Sequence, residues 1–185
     1  MPDKRDLLLN ALESYKTTYS DEEKALKDII SFVKSNKDCF KRTSLKGHIT
    51  GSALLISPDG KKVLLTHHKK LDKWLQFGGH SDGSPDTWSV ALRETIEDSG
   101  IEDVEFVTHD IFDIDIHAIP ENKAKEEPEH LHYDVRFLIK AKTEEFKISH
   151  ESNELKWFTF SELEKAGLIE EDGLKRLFEK WGSFG

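Results

Sequence analysis

The stretch GGHSDGSPDTWSVALRETIEDSGI, residues 78–101, sets a double glycine and a histidine ahead of a helical run that crowds Glu94, Glu97 and Asp98 together. At 3.6 residues per turn these acids fall at i, i+3 and i+4 and share one face. Trp88, Leu92, Thr95, Ile96 and Ser99 fall roughly opposite, on a face fit for packing, while Val90 lands near the acids. Ser84 reads as the N-cap and Pro85 as the first helical residue, which predicts a helix over 85–99. Like charges at this spacing cost roughly 0.2–0.5 kcal/mol per pair in an isolated helix. A divalent cation removes that cost. Acidic helix faces are ordinary on protein surfaces. Here a strand-end Gly-Gly precedes the helix, Arg93 stands beside the first acid and a glycine ends the run, a context that favours a binding role. Clustered carboxylates suit hard cations such as Mg²⁺, which keep several waters and bridge to phosphate oxygens.

The rest of the chain supports a folded domain around this helix. Its 185 residues are enough for one domain with a full core. No run approaches the length of a membrane span, so no membrane association is expected. The N-terminus MPDKRDLLLNALESYKTTYS is too polar for a signal peptide. Cys39 is the single cysteine, which excludes an internal disulfide framework and fits a reducing, cytoplasmic setting. With 36 acidic against 27 basic residues the net charge is −9. Such a surface repels nucleic acid, and HHKKLDK (67–73) is only a short basic cluster, so duplex binding is not expected.

Residues 3–36 read as two helices. Leu7, Leu8, Leu9 and Leu12 stripe the first. Ser20 and Glu23 look like a capping box for the second, which carries Leu26, Ile29, Ile30, Phe32 and Val33. From His48 the texture becomes strand-like. ITGSALLIS and VLLT flank Pro58-Asp59-Gly60 as a hairpin, and KWLQF runs into Gly78-Gly79. Alternation then marks the run from Ile111 to Ile119 and HLHYDVRFLIKA, separated by the charged loop PENKAKEEPE (120–129). LKWFTF is a further strand, SELEKAG starts a helix and EEDGLKRLFEKWG is a last short one. The order predicts an α+β domain on a mixed sheet, with an N-terminal helical extension (1–45) ahead of the main domain (46–185).

The central stretch resembles the signature of the Nudix hydrolases, Gly-x5-Glu-x7-Arg-Glu-apolar-x-Glu-Glu-x-Gly-apolar. Gly79, Arg93-Glu94, Glu97-Asp98 and Gly100-Ile101 match it without insertion. Pro85 stands where the pattern has its first glutamate, Asp86 follows one place late, Thr95 replaces an apolar residue and Asp98 replaces a glutamate. The resemblance extends to ESNELKWFTFSEL and covers roughly residues 48–166. It implies a mixed sheet sandwiched between helices and Mg²⁺- or Mn²⁺-dependent hydrolysis of a phosphoanhydride bond in a nucleoside diphosphate linked to another group. Glu94, Glu97 and Asp98 are then the metal ligands, joined by the Gly79 carbonyl. Arg93 orients a carboxylate or a loop. The general base is Glu97 or a later acid, Glu151 or Glu154, which SHESNELKWF sets just before a strand.

Nine histidines are many for this length, and their placement is uneven. Asp113, Asp115 and His117 share one strand face, as do His132, Asp134 and Arg136. Paired, the two strands bring these faces together as a lining for a substrate pocket, with His80, His132 and Asp134 in recognition and Arg136 on a phosphate. A dedicated histidine metal site is the sharper reading, against which stands the lack of short ligand spacing. Isopentenyl diphosphate isomerase shares the Nudix fold and carries Cys-Gly-His at the strand end. Gly78-Gly79-His80 keeps the histidine without the cysteine, which disfavours isomerase chemistry. A non-catalytic nucleotide sensor is the other alternative, and retention of Glu94 and Glu97 favours turnover. The partner is a small nucleotide or diphosphate, its choice set by the loops around 67–74 and 120–130. The N-terminal stripes need burial, in packing or in a homodimer contact.

Overall fold

Pro58-Asp59-Gly60 closes a hairpin between β1 (Gly47–Ile56) and β2 (Lys62–His68), with Leu55 opposite Leu64 and Ile56 opposite Val63. Asp59 Oδ1 organises the turn by accepting the Ser57 hydroxyl at 2.6 Å and the Lys61 N–H at 3.0 Å. Gly60 takes φ +74°, a conformation without penalty only for glycine. The computed structural model describes residues 3–121, 128–170 and 173–184. Most of the charged loop at 120–129 therefore lies outside the described residues.

The other strands are β3 (Lys73–Leu75), β4 (Phe77–His80), β5 (Val104–Phe106), β6 (Asp113–Ile119), β7 (His130–Ala141) and β8 (Ser152–Thr159). The helices are α1 (Asp6–Ser14), α2 (Ser20–Ser35), α3 (Thr87–Ser99), α4 (Phe160–Lys165) and α5 (Lys175–Gly182). Strand pairing follows β3-β2-β1-β7-β5, with β4 also on β1, β6 on β7 and β8 on β2. This is the α+β class with a mixed sheet that the element order predicts. Contacts gather the chain into two compact units: Met1–Ser52, Gly79–Ala91 and His109–Phe137 form the first, and Ala53–Gly78, Leu92–Thr108 and Leu138–Gly185 the second.

In the first unit the N-terminal helices lie on the sheet. Leu8, Leu12, Ile29, Phe32 and Val33 are buried, and Phe32 stacks on Tyr133 with ring centroids 4.0 Å apart. Leu7 is exposed, so the apolar stripe of α1 is narrower than its run of leucines suggests. The Ser20–Glu23 capping box does not form. Ser20 is already helical, and Tyr19 at the N-cap makes no side-chain cap bond. Thr17 organises this end instead, accepting the Tyr19 N–H at 3.1 Å and donating to Glu22. Glu22 is fully buried, and it also accepts the Tyr15 hydroxyl at 2.8 Å and the Ile114 N–H at 2.9 Å. Glu22→Ala removes the shared acceptor of three hydrogen bonds at a fully buried position, so it should cost about 1–3 kcal/mol. A lower urea midpoint with an unchanged m-value is the expected readout.

The second unit is built on β2, which pairs with β8 from Lys62↔Thr159 to His68↔Ser152, and with β3. Thr159 and Glu162 form a true capping box at the start of α4. Helix α5 buries Leu177, Phe178 and Trp181, and the Trp181 indole donates to the Gly60 carbonyl at 3.1 Å.

Candidate active site

Helix α3 begins two residues later than its sequence suggests. Asp86 is the cap: its carboxylate accepts the Ser89 N–H at 3.1 Å and the Ser89 hydroxyl at 2.6 Å. Ser84 and Pro85 precede the helix. A carboxylate here meets both the orphan N–H groups and the positive end of the helix dipole, which a serine hydroxyl does less well. The buried face is Thr87, Val90, Ala91, Thr95 and Ser99, so Val90 belongs to the packing side and not with the acids. Small residues suffice because the backbone comes close. A Cβ on Gly51 would stand 2.6 Å from the Thr87 carbonyl.

The three acids differ in setting. Arg93 pairs with its neighbour Glu94 at 2.6 Å, with side chains 44% and 20% exposed. Glu97 is exposed. Asp98 is half-buried, and the Ser149 side chain favours its charged form. Burial, then the charges of Glu151, Glu94 and Glu97, push its carboxyl above the usual range. Gly100 ends the helix at φ +67°, and a Cβ there would come within 2.7 Å of the Lys147 side chain. The Lys147 N–H donates to the Ser99 carbonyl at 2.8 Å. That bond ties the segment after β7 to the end of α3 and so delivers Ser149 and Glu151 to the acids. Lys69 steadies the same turn, its amine donating to the His150 carbonyl at 2.7 Å and its N–H to the Glu151 carbonyl at 3.0 Å. Lys69 thus serves a loop. Glu154 lies within β8, opposite His67, and not ahead of the strand. Gly79, on β4, is half-buried.

In the first unit β6 and β7 pair in the expected sense, with Asp113↔Arg136, Asp115↔Asp134 and His117↔His132. One end of this ladder is closed to ligands. Arg136, its side chain 3% exposed, binds Asp134 at 2.8 Å, Asp115 at 3.0 Å and Asp113 at 3.1 Å. Asp134 also accepts the hydroxyls of Thr50 at 2.8 Å and Ser52 at 2.7 Å. Arg136 and Asp134, expected to meet substrate, are here bound to one another and to buried neighbours. Alternation placed them on the right face, but that face is covered by β1 at this point.

The other end is a histidine cluster. His132 is its hub, with ring centroids 4.8 Å from His48, 5.0 Å from His80, 5.2 Å from His130 and 5.5 Å from His117. Burial first, then neighbouring positive groups, hold His80 down to about 4 and His132 to about 2, so both are neutral at physiological pH. Ligand atoms of His48, His130 and His132 all lie within 4.8 Å of one another, a set able to coordinate a divalent ion. His48 goes unmarked in the sequence reading. Only its alternation with Thr50 and Ser52 on β1 hints at it, and strand pairing over some eighty residues is what completes the set.

The sequence pattern of the NUDIX domain matches residues 47–178, well over half of the chain. This protein belongs to the Nudix family. Hydrolysis of a phosphoanhydride bond in a nucleotide-linked compound is the reaction class that membership carries. The Nudix match leaves α1 and α2 outside it. Among solved structures the chain is similar to a C. elegans Ap4A hydrolase in a binary complex, at 24% identity over 74% of this chain and 96% of that one, TM-score 0.56. It is also similar to a NUDIX-family hydrolase from Clostridium perfringens, at 24% identity over 75% and 98% of the two chains, TM-score 0.53. A NUDIX hydrolase from Nitrosomonas europaea shares 16% identity over 73% and 88%, TM-score 0.51. At these identities the likeness is one of fold. No curated protein sequence matches the chain. Among the described residues no helix is long and apolar enough to cross a membrane. Where the Nudix signature has its first glutamate, Pro85 stands before the helix and Asp86 caps it, and Arg93 pairs with Glu94.

Proposed function

We propose that the chain is a Mg²⁺- or Mn²⁺-dependent pyrophosphohydrolase of a nucleoside diphosphate linked to another moiety. Glu94, Glu97 and Asp98 are the residues assigned to the metal. The observation that carries this reading is the shared α3 face of Glu94, Glu97 and Asp98, where burial first, then the charges of Glu151, Glu94 and Glu97, raise the Asp98 carboxyl. Such an oxygen-only, mutually repelling set fits a hard divalent cation. A bound cation there supplies charge neutralisation for the diphosphate, polarisation of phosphorus and a lower pKa for attacking water.

The chain's own residues do the rest. Arg93 fixes the Glu94 carboxylate by a charge-assisted bond. Of the late acids, Glu151 is the better general base. Its charge is felt at Asp98, and its turn is braced by Lys69, whereas Glu154 points from a paired strand. A carboxylate so placed takes a proton from water. His80 and His132, held neutral, offer hydrogen bonds and not ion pairs to a ligand. The expected partner is a small nucleotide in the cytoplasm, with no duplex nucleic acid, and α1 and α2 are available to a homodimer.

A screen of dinucleoside polyphosphates (the C. elegans relative is named for Ap4A), nucleotide sugars, nucleoside triphosphates and capped RNA tests the reading. Phosphate-bearing products that appear with Mg²⁺ or Mn²⁺ and vanish with chelator are expected for at least one class. Tight nucleotide binding without product would instead favour a sensor. Conversion of isopentenyl diphosphate would favour the isomerase, against which stand Gly78 in place of cysteine and the burial of Cys39.

A further inference from the structure

We propose that His48, His130 and His132, with His80 as the fourth ligand, form a second metal site, one that takes a divalent transition-metal ion of the Zn²⁺ class. This site rests on its own residues and not on the carboxylate reading. The ligand atoms of the first three already lie within 4.8 Å of one another. The His80 ring stands 5.0 Å from those of both His48 and His132. Zinc–imidazole bonds of about 2.0–2.1 Å in a tetrahedron need nitrogens roughly 3.3 Å apart, so side-chain rotation must draw the rings in by about 1–1.5 Å.

Three further observations point the same way. His132 Nε2 is buried with no hydrogen-bond partner, an expensive state for a polar atom unless something coordinates it. His130 Nδ1 lies 2.8 Å from the Pro128 carbonyl, which fixes the ring and leaves Nε2 as the ligand atom. That is the outer support expected of a metal-bound imidazole. His117, with Nδ1 3.0 Å from Asp115, is braced the same way at the edge of the cluster. The donors are also the right kind. A nitrogen-only set suits zinc, nickel, copper or cobalt, whereas magnesium selects oxygen. The donors come from β1, β4 and β7, and paired strands hold ligands more firmly than loops.

The test uses the full chain without a histidine tag, stripped by chelator, with Zn²⁺ and Co²⁺ as probes. We expect one zinc per chain after gel filtration and intense visible bands from Co²⁺ that zinc abolishes. Zinc at a hundredfold excess over Kd should raise the thermal midpoint by about 5–10 °C. His130→Gln, at a half-buried position, should weaken zinc at least tenfold, and His48→Gln or His132→Gln should remove it. The Glu94→Gln/Glu97→Gln double variant should bind zinc as the parent does, which separates this site from the α3 acids. A parent chain that retains no zinc overturns the proposal, and so does zinc indifferent to His130→Gln or lost only from the glutamate variant.

Discussion

Glu97→Gln is expected to lower metal-dependent turnover by about two to four orders of magnitude, the range for losing a general base or an essential carboxylate. The fold should not notice. Glu97 is exposed on α3, and surface substitutions of this kind stay within about 0.5 kcal/mol. The small change that does occur should be stabilising. The amide removes one of the charges that raise Asp98 and relieves the i, i+3 repulsion with Glu94, worth roughly 0.2–0.5 kcal/mol. An inactive variant whose metal-free thermal midpoint equals or exceeds the parent's is therefore the signature of a carboxylate kept for function at the expense of stability. Glu94→Gln should differ, because it also weakens the 2.6 Å bond from Arg93. Full activity of Glu97→Gln with Mg²⁺ would remove Glu97 from the site.

What could be read from the chain alone follows from how local each signal is. The β1–β2 turn, the two alternating strands and the helix after Gly78-Gly79 are written in neighbouring residues, and they form. The acids on α3 belong to the same class, since the helical period alone puts Glu94, Glu97 and Asp98 on one face. Errors gathered where two local choices compete. Ser84 and Asp86 are both good N-caps, and the later one wins because its carboxylate also holds the Ser89 hydroxyl. Ser20 lost its capping role because Glu22 is drawn inward by Tyr15, Thr17 and Ile114.

Non-local facts were out of reach for a different reason. Periodicity says which residues share a face but not what lies over it. His132, Asp134 and Arg136 share a face, yet β1 presents Thr50 and Ser52 to Asp134 and His48 to His132. One end of the ladder thereby becomes a closed ion-pair network and the other a histidine cluster. Glu151 became the stronger candidate base, and Glu154 the weaker, only through the tie between Lys147 and the end of α3.

Arg136→Met should be the most destabilising single change at any of the residues read from the sequence as site candidates. It strips the cation from three buried carboxylates at once, those of Asp113, Asp115 and Asp134. The gap is filled by a side chain of similar reach, so lost packing is a minor part of the effect. Breaking a buried ion pair from one side costs about 3–5 kcal/mol. For a chain of this size that is a fall of roughly 6–20 °C in thermal midpoint. Adding Asp113→Asn and Asp134→Asn should recover a substantial part of the loss, because the carboxylates left without a counter-ion are then neutral. Equilibrium urea unfolding of the parent, the single and the triple variant measures this directly. A substrate-binding arginine predicts the opposite pattern: a higher KM, little change in stability and no rescue by the asparagines. The three bonds at 2.8–3.1 Å and the near-complete burial of the guanidinium favour the structural outcome, in which Arg136 locks β6 to β7 and so holds His117 and His132 in register.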